Sequence, residues 1–257
     1  MLILISPAKK LLSITKPFTG ETTQPQFLSQ TAKLVEIMKA KTVADIGRLM
    51  DLSDNLAHLN YDRYQQFKLD NVPENLSYPA LLLFQGDVYQ GLQAKSLKQE
   101  DFDYAQKHLA ILSGLYGLLK PMDRIQPYRL EMGTHLANPS GTNLYDFWGQ
   151  ILTQHINEEL ASHKNPFLVN LASTEYFKAV QEKKLAHSVI TINFYEHKNN
   201  QVKMIGVYAK KARGVMARYL IQNRIDTVEQ IKKFTELGYQ FNEQTSSGKH
   251  LDFVRTH

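Results

Sequence analysis

The sequence contains no cysteine in its 257 residues. This absence excludes disulfide frameworks, cysteine-based redox chemistry and metal centres with thiolate ligands, iron–sulfur clusters among them. Long apolar runs are also missing, because the two longest, residues 1–5 and 109–119, are too short to cross a bilayer. No secretory pattern precedes the first run, since Lys9 and Lys10 follow it. We therefore expect a cytoplasmic protein that does not bind membranes.

The composition shows no strong excess of one charge sign. The sequence contains 30 Lys and Arg residues and 25 Asp and Glu residues, which gives a formal net charge of +5. The hydrophobic fraction of 43% and the charged fraction of 21% are typical of globular proteins. No internal repeat or low-complexity linker divides the chain, so we predict a single domain over residues 1–257. The distribution of the positive charge then decides whether a polyanion is a partner.

The apolar pattern mixes short strands with helices. Buried strands are predicted at 1–5, 80–84, 167–171, 189–196 and 251–254, and helices at 27–40, 101–112, 145–163 and 210–224. A β-hairpin is predicted around His197–Gln201. Because strands and helices do not alternate strictly, we predict an α+β chain that forms one mixed α/β domain, with central strands surrounded by helices, in preference to a doubly wound fold.

Positive charge is most concentrated in residues 209–225. At roughly 100° per residue, the cations of this helix fall within an arc of about 160° that contains no acidic residue. These cations are Lys210, Lys211, Arg213, Arg218 and Arg224. Gly214 and Ala217 lie near the middle of the arc, where small side chains let a bulky partner approach the backbone. The pattern fits both a polyanion-binding face and a solvated amphipathic face.

A second candidate lies between residues 109 and 129. Gly114 and Gly117 follow a predicted helix with the spacing of helix-hairpin-helix modules, in which glycine amides and a nearby cation hold a DNA phosphate. Lys120, Arg124 and Arg129 are in position to supply the charge. The alternative is a simple turn that ends the helix.

Motifs for catalysis or metal binding are few. The Ser-x-x-Lys spacing of Ser6 and Lys9 follows a strand and contains proline, which favours a turn carrying a phosphate-seeking lysine over an acylating site. His155, Glu159 and His163 recur every four residues, and a partly buried His–Glu pair explains them as well as metal ligation does. We find no phosphate loop, nucleophile elbow or dinucleotide fingerprint, and we predict no cofactor and no metal site.

Six segments in a fixed order resemble one family over essentially the full chain. They are SPAK at 6–9, FQGDVYQGL at 84–92, LSGLYGLLKPMDRIQPYRLEMGT at 112–134, NLYDFWG at 143–149, NLASTEYFKAV at 170–180 and KKARGVMARYLI at 210–221. The chain resembles the bacterial peroxide-stress-resistance protein YaaA family. The resemblance implies a fold peculiar to that family, with a positively charged cleft and a helix-hairpin-helix element at about 101–129. It also implies a cytoplasmic protein that binds duplex DNA and limits damage from free iron during hydrogen peroxide stress.

Carried over residue by residue, the resemblance places the hairpin at Gly114–Gly117 and cations in the cleft. The DNA-binding residues that we predict are Lys9, Lys10, Gly114, Tyr116, Gly117, Lys120, Arg124, Arg129, Lys210, Lys211, Arg213 and Arg218. We expect duplex DNA to be bound without strong sequence specificity. An enzyme that acts on DNA or on a phosphorylated small molecule, using Asp87, Glu131 and Glu175, stays open as an alternative, as does an iron-binding protein. No catalytic residue is assigned.

Overall fold

The computed structural model describes residues 1–198 and 201–256. Helices within these residues are α1 (Leu28–Lys39), α2 (Val43–Met50), α3 (Asp54–Gln65), α4 (Ala80–Leu83), α5 (Asp87–Leu92), α6 (Gln99–His108), α7 (Leu144–Trp148), α8 (Ile151–Ala161), α9 (Thr174–Phe177), α10 (Gly206–Gln222) and α11 (Val228–Ile231). Strands are β1 (Leu2–Ile5), β2 (Lys10–Leu11), β3 (Tyr78–Pro79), β4 (Phe84–Gln85), β5 (Leu109–Ser113), β6 (Gly117–Leu119), β7 (Arg124–Ile125), β8 (Phe167–Asn170), β9 (Ser188–Lys198), β10 (Gln201–Lys203), β11 (Gln240–Phe241) and β12 (His250–Thr256).

One mixed sheet forms the centre of the protein. Its strand order is β11-β12-β9-β8-β1-β5-β6, and β10 pairs with β9 beyond this path. The neighbours β5, β1, β8, β9 and β12 are parallel, whereas β6, β10 and β11 are antiparallel additions. The sequence-based expectation of a mixed α/β domain with central strands is therefore confirmed.

The order of the parallel strands shows a regularity that the sequence pattern did not indicate. Numbered along the chain, the parallel strands follow the spatial order 2-1-3-4-5, which also occurs in doubly wound α/β proteins. A doubly wound arrangement was disfavoured because the predicted strands and helices do not alternate strictly. The extra strands β6 and β11 pair at the two edges of the sheet, and β10 pairs with the end of β9. The others form separate two-stranded ladders, β2 with β4 and β3 with β7, so the order of the parallel strands is not interrupted.

The innermost strands consist almost entirely of apolar residues. All four residues of β1 are buried, and so are all five residues of β5. Parallel strands are covered on both faces by crossover segments, which explains why these runs are continuously hydrophobic and do not alternate with polar residues. The predicted strands at 1–5, 167–171, 189–196 and 251–254 correspond to β1, β8, β9 and β12.

The segment around Gly114 is a β-hairpin, so the prediction of a helix-hairpin-helix element at 101–129 is wrong. α6 ends at His108, and residues 109–113 then form a strand that pairs antiparallel with Gly117–Leu119. The next helix begins only at Leu144. The apolar run 109–112 looks like the end of a helix in sequence, but it forms a buried strand because it pairs with β1 in the centre of the sheet.

Two further predicted elements differ in detail. The apolar run 80–84 forms the helical turn α4 before the short strand β4, because a run without periodicity fits a buried helix as well as a strand. The predicted helix 145–163 is divided into α7 and α8 at Gly149, which has a positive φ of 47°. Part of the predicted turn between β9 and β10 lies outside the described residues. No helix in the described ranges is long and apolar enough to span a bilayer.

Candidate functional site

A cleft of about 370 Å³ opens at the carboxyl ends of β1 and β8. These strands are neighbours, yet the chain leaves β1 toward β5 on one side and continues from β8 toward β9 on the other. In open α/β sheets, ligands bind at such a switch in strand order, outside the carboxyl ends of the strands. The cleft is lined by Ser6–Lys10, Gln85–Tyr89, Glu131, Leu171, Ser173, Glu175, Tyr176, Lys210 and Arg213.

Hydrogen bonds of Ser6 connect the loops that form the floor of the cleft. The backbone N–H of Ser173 donates to Ser6 Oγ at 2.9 Å, and Ser6 Oγ donates to Ser173 Oγ at 3.3 Å. The hydroxyl of Tyr89, from α5, donates to the carbonyl oxygen of Ser6 at 3.1 Å. Burial raises the pKa of Tyr89, so this phenol stays protonated and remains a donor. The loops after β1 and β8 and the helix α5 are thereby held together.

Lys9 is engaged by a carboxylate and not by the serine three residues before it. Its Nζ lies 2.7 Å from Glu131 Oε2, and the guanidinium of Arg129 donates to Glu131 Oε1 at 3.0 and 3.2 Å. Glu131 therefore joins two cations at the edge of the cleft. Because Ser6 bonds to Ser173, the interpretation of the Ser-x-x-Lys spacing as a strand-end turn agrees with the geometry.

α10 supplies the opposite wall, with Lys210 and Arg213 facing the cleft. Arg213 Nε is buried and is the one buried side-chain nitrogen or oxygen in the described chain without a hydrogen-bond partner. Burial lowers the pKa of Arg213, although an arginine remains charged at neutral pH. Lys10 lies on β2 with an exposed side chain. Within the described residues, neither Lys10 nor Lys210 has an acidic partner.

The small residues of α10 are covered by α5, not by an outside partner. A Cβ at Gly214 would overlap the carbonyl oxygen of Val88, and a Cβ at Gly91 would overlap the carbonyl oxygen of Lys211. The two helices therefore cross with their backbones in contact. The sequence-based idea that Gly214 and Ala217 leave room for a bulky ligand is wrong, because Ala217 is also fully buried.

Two of the predicted cations lie away from the cleft. Lys120 directly follows β6, which runs antiparallel to β5, so it lies toward the amino ends of the parallel strands. Its Nζ lies 2.7 Å from Glu159 Oε1. Arg124 lies on β7, and its Nε donates to Ser77 Oγ at 2.9 Å. Neither residue lines the cleft.

Two cations of α10 also differ from the prediction. Arg218 NH1 donates to the carbonyl oxygens of Leu92 and Gln93 at 3.0 and 3.1 Å and to Ser96 Oγ at 2.9 Å. It therefore ties down the end of α5. Lys211 is exposed but is not among the lining residues of the cleft.

The glycine turn of the predicted DNA-binding set is enclosed in the core. Gly114, Tyr116 and Gly117 are all buried. The backbone N–H of Tyr116 donates to Ser113 Oγ at 2.9 Å, and the Tyr116 hydroxyl accepts from the backbone N–H of Gln126 at 3.1 Å. The expectation that this turn presents amides to a phosphate is corrected, because burial in the sheet removes it from the surface.

The carboxylates of the cleft differ in how they are held. Glu131 is paired as described above, and Glu175 Oε1 accepts the backbone N–H of Gly133 at 3.0 Å. Asp87, at the start of α5, forms no ion pair or hydrogen bond through its side chain within the described part of the chain. Tyr176 also lines the cleft, and burial raises its pKa.

Ser173 and Tyr176 were not predicted as part of a binding site. The hydroxyl of Ser173, which directly precedes α9, forms no cap hydrogen bond to that helix and contacts Ser6 instead. The available signal was that Ser6 follows β1 and Ser173 follows β8, both just beyond buried strands. That signal becomes useful only once the two strands are known to be neighbours.

His155 lies on α8 and His163 follows its end, and their surroundings in the described structure differ. Over the described ranges, no group of three or more histidine and carboxylate side chains is placed to hold a metal ion. His155 lies 3.7 Å from Glu159, whereas the ring of His163 contacts His108 with centroids 4.7 Å apart. Burial, the terminal amine and His108 lower the pKa of His163 to about 4.

Comparison with known proteins covers nearly the whole chain. A family model described as "Peroxide stress protein YaaA" matches residues 1–245. A UPF0246 protein from Legionella pneumophila (strain Corby) is 62% identical over 257 residues, and one from Hahella chejuensis is 51% identical over 257 residues; each alignment covers 100% of both chains. A UPF0246 protein from Aliivibrio fischeri (strain MJ11) is 49% identical over 255 residues, 99% of this chain and 98% of the relative.

Proposed function

The chain belongs to the peroxide stress protein YaaA family, and from this membership and its cationic cleft we propose that it binds duplex DNA without strong sequence specificity. The proposal includes a cytoplasmic location, because bacterial DNA lies there. It also includes protection of the bound DNA from iron-mediated damage during hydrogen peroxide stress.

The observation that carries the proposal is a set of cations in one cleft without acidic partners. Lys10 and Lys210 come from elements far apart in sequence, and each is exposed. A surface cation that serves only solubility is commonly balanced by neighbouring carboxylates. Four cations and three carboxylates line the cleft, and Arg129 adds a further positive charge beside Glu131. The net excess of positive charge attracts phosphate groups.

Lysine and arginine contacts to phosphate carry no base information by themselves. Such contacts set affinity and position, whereas sequence is read by side chains that reach base edges in the grooves. The cleft, with a volume of about 370 Å³, is too small to enclose a duplex. The duplex therefore lies across the mouth of the cleft, with its phosphates toward Lys10 and Lys210. We therefore expect binding that depends on salt and little on sequence.

The test is a fluorescence anisotropy titration of labelled duplexes at several salt concentrations. The cleft variant is Lys10→Gln with Lys210→Gln. The matched control is Lys164→Gln with Lys183→Gln, which removes the same charge from exposed residues that precede the amino ends of β8 and β9, at the opposite edge of the sheet. Both variants should melt at the temperature of the parent protein, because none of the four side chains is buried.

We expect the cleft variant to bind more weakly and to show a slope of log affinity against log salt smaller by about two. The control should follow the parent. If both double variants lose affinity equally, general net charge and not the cleft attracts DNA. If the parent binds one sequence far more tightly than others, the non-specific mode is wrong.

Protection from iron is tested with the same proteins. Supercoiled DNA is exposed to ferrous iron and hydrogen peroxide, and the rate of nicking is compared with and without protein. We expect the parent and the Lys164/Lys183 control to slow nicking and the Lys10/Lys210 variant to protect less. Equal protection by all three proteins would contradict a role for DNA bound at the cleft.

A further inference from the structure

Arg213 occupies an unusual position for a charged side chain. It lines the cleft, but its Nε is buried and bonds to no atom of the protein in the described ranges. A charged group withdrawn from water without a partner destabilises the protein unless a ligand supplies the missing charge. The guanidinium fork matches two oxygens of one phosphate or carboxylate, which lysine does not.

The surroundings of Arg213 favour a phosphate over a carboxylate. Lys210 lies one helical turn before it, and Lys10 lies on β2, which also lines the cleft. These three cations form no ion pair within the described residues, whereas Glu131 is held by Lys9 and Arg129. Asp87 and Glu175 add two negative charges to the lining, so the cations at the cleft, with Arg129 included, outnumber its carboxylates by five to three. This excess of two positive charges favours a dianion over a singly charged group, and a terminal phosphate carries nearly two negative charges at neutral pH.

The floor of the cleft provides neutral polar groups and a limited volume. The hydroxyls of Ser6 and Ser173 lie at the carboxyl ends of β1 and β8 and bond to each other. Hydroxyl groups both donate and accept hydrogen bonds, so either can turn toward a phosphate oxygen. The volume of about 370 Å³ lies in the range of small-molecule sites. A volume of this size suits a single nucleotide. An internal phosphodiester is joined to a nucleotide on each side, and the cleft does not have room for both.

We propose that this cleft, at the switch in strand order between β1 and β8, is a binding site for a terminal phosphate group, with Arg213 as its principal partner. The phosphate is that of a monoester, either at the end of a DNA strand or on a free nucleotide. For the DNA source, the inference rests on the proposed function and specifies which feature of DNA the cleft holds. For a free nucleotide, the inference does not depend on the proposed DNA binding.

The first arm of the test compares DNA ends on the unmodified protein. Short duplexes of one sequence carry a 5′-phosphate, a 3′-phosphate or only hydroxyl ends, and their affinities are measured at one salt concentration. We expect one phosphorylated duplex to bind about tenfold more tightly than the hydroxyl-ended duplex, which is the effect of one or two charge-assisted hydrogen bonds. Equal affinities for all three duplexes would show that the cleft does not hold the terminal phosphate of a DNA strand.

The second arm measures thymidine 5′-monophosphate, thymidine 3′-monophosphate and thymidine by calorimetric titration. Binding of a monophosphate with no detectable binding of thymidine supports the site, whether or not DNA binds. Failure of both monophosphates, together with equal affinities in the first arm, overturns the inference. DNA binding that persists in that case leaves the proposed function standing, so the two failures are distinguishable.

Variants at Arg213 identify the partner of the phosphate. Arg213→Gln should reduce the ratio of affinities for phosphorylated and hydroxyl-ended duplexes to about one, whereas Lys164→Gln should leave this ratio unchanged. Arg213→Lys keeps the charge but loses the fork, so it should retain an intermediate ratio. Melting curves are recorded for each variant to test whether it is folded. A ratio that Arg213→Gln does not change would overturn the assignment to Arg213.

Discussion

The partners of a side chain decide its role at the scale of single residues. Arg218 and Lys210 belong to the same basic helix and are indistinguishable by charge pattern. Yet Arg218 bonds to three oxygens at the end of α5, whereas Lys210 faces the cleft. Arg218 is therefore a structural residue, and the expectation that it binds DNA is not supported by its environment.

We predict that Arg218→Ala lowers the free energy of unfolding by about 2 kcal/mol, because two backbone carbonyls and Ser96 lose a charged donor. Lys211→Ala, on the same helix but exposed, should change it by less than about 0.5 kcal/mol. Urea denaturation measures both. Equal stability of the two variants would show that the Arg218 hydrogen bonds contribute nothing net.

Asp123 is a second residue whose environment determines its chemistry. Burial raises its pKa to about 6, although hydrogen bonds from Thr23 and from the backbone N–H of Lys120 act in the opposite direction. Since the unfolded state ionises near the ordinary value, the folded state holds the proton more tightly. Its contribution to stability is therefore complete at low pH and is lost as the pH rises toward about 6.

We predict that raising the pH from about 4 to about 6 destabilises the parent relative to Asp123→Asn by about 2 kcal/mol. The other titrating groups are common to both proteins and cancel in this difference. Denaturation at a series of pH values measures it, irrespective of the constant loss caused by altered hydrogen bonds. A difference that does not vary with pH would show that Asp123 has an ordinary pKa.

At the scale of elements, the contact between α5 and α10 places the charges of the cleft. α5 begins at Asp87 and α10 carries Lys210 and Arg213, so the crossing of the two helices sets the width between these groups. The crossing is close because Gly91 and Gly214 face the backbone of the other helix. Close packing of this kind does not accommodate an added methyl group without movement of a helix.

We predict that Gly214→Ala lowers the free energy of unfolding by about 3 kcal/mol, since its Cβ would overlap the Val88 carbonyl. Gly206→Ala is the matched control in the first turn of the same helix, where a Cβ meets no atom within 4 Å. It should be neutral or slightly stabilising because alanine favours helix. Thermal melting compares the two, and a stable Gly214→Ala protein would mean that the helices separate easily.

At the scale of the whole molecule, the cleft and Lys120, a cation that does not line it, lie at opposite edges of the parallel sheet. The cleft lies at the carboxyl ends of β1 and β8, while Lys120, His108 and His163 lie toward the amino ends. β1 is bonded on both sides and fully buried, whereas β10 is an exposed three-residue strand. Resistance to local opening should therefore fall from the centre of the sheet to its additions.

We predict that the amide hydrogens of β1 and β8 exchange only through global unfolding and that those of β10 exchange through local opening. Hydrogen–deuterium exchange at increasing denaturant concentrations separates the two classes. The rates for β1 should follow the global free energy of unfolding, and those of β10 should be faster by several orders of magnitude. Uniform rates across these strands would contradict a sheet that is stabilised from its centre.

Local features were correctly predicted from the sequence. Residues 1–5 and 167–171 were recognised as strands because their composition leaves no polar face. The family was also recognised, because six ordered segments identify a lineage without knowledge of contacts.

By itself, then, the sequence determined where four of the five parallel strands lie, the family, and which residues carry positive charge. Only the tertiary structure decided which cations share a cleft, since Lys10, Lys210 and Arg213 meet through the order of parallel strands, which depends on contacts between distant segments. It also decided that the Gly114 turn is buried and that Arg218 supports α5. Charge and spacing are local properties, whereas burial and pairing depend on what the rest of the chain places beside each residue.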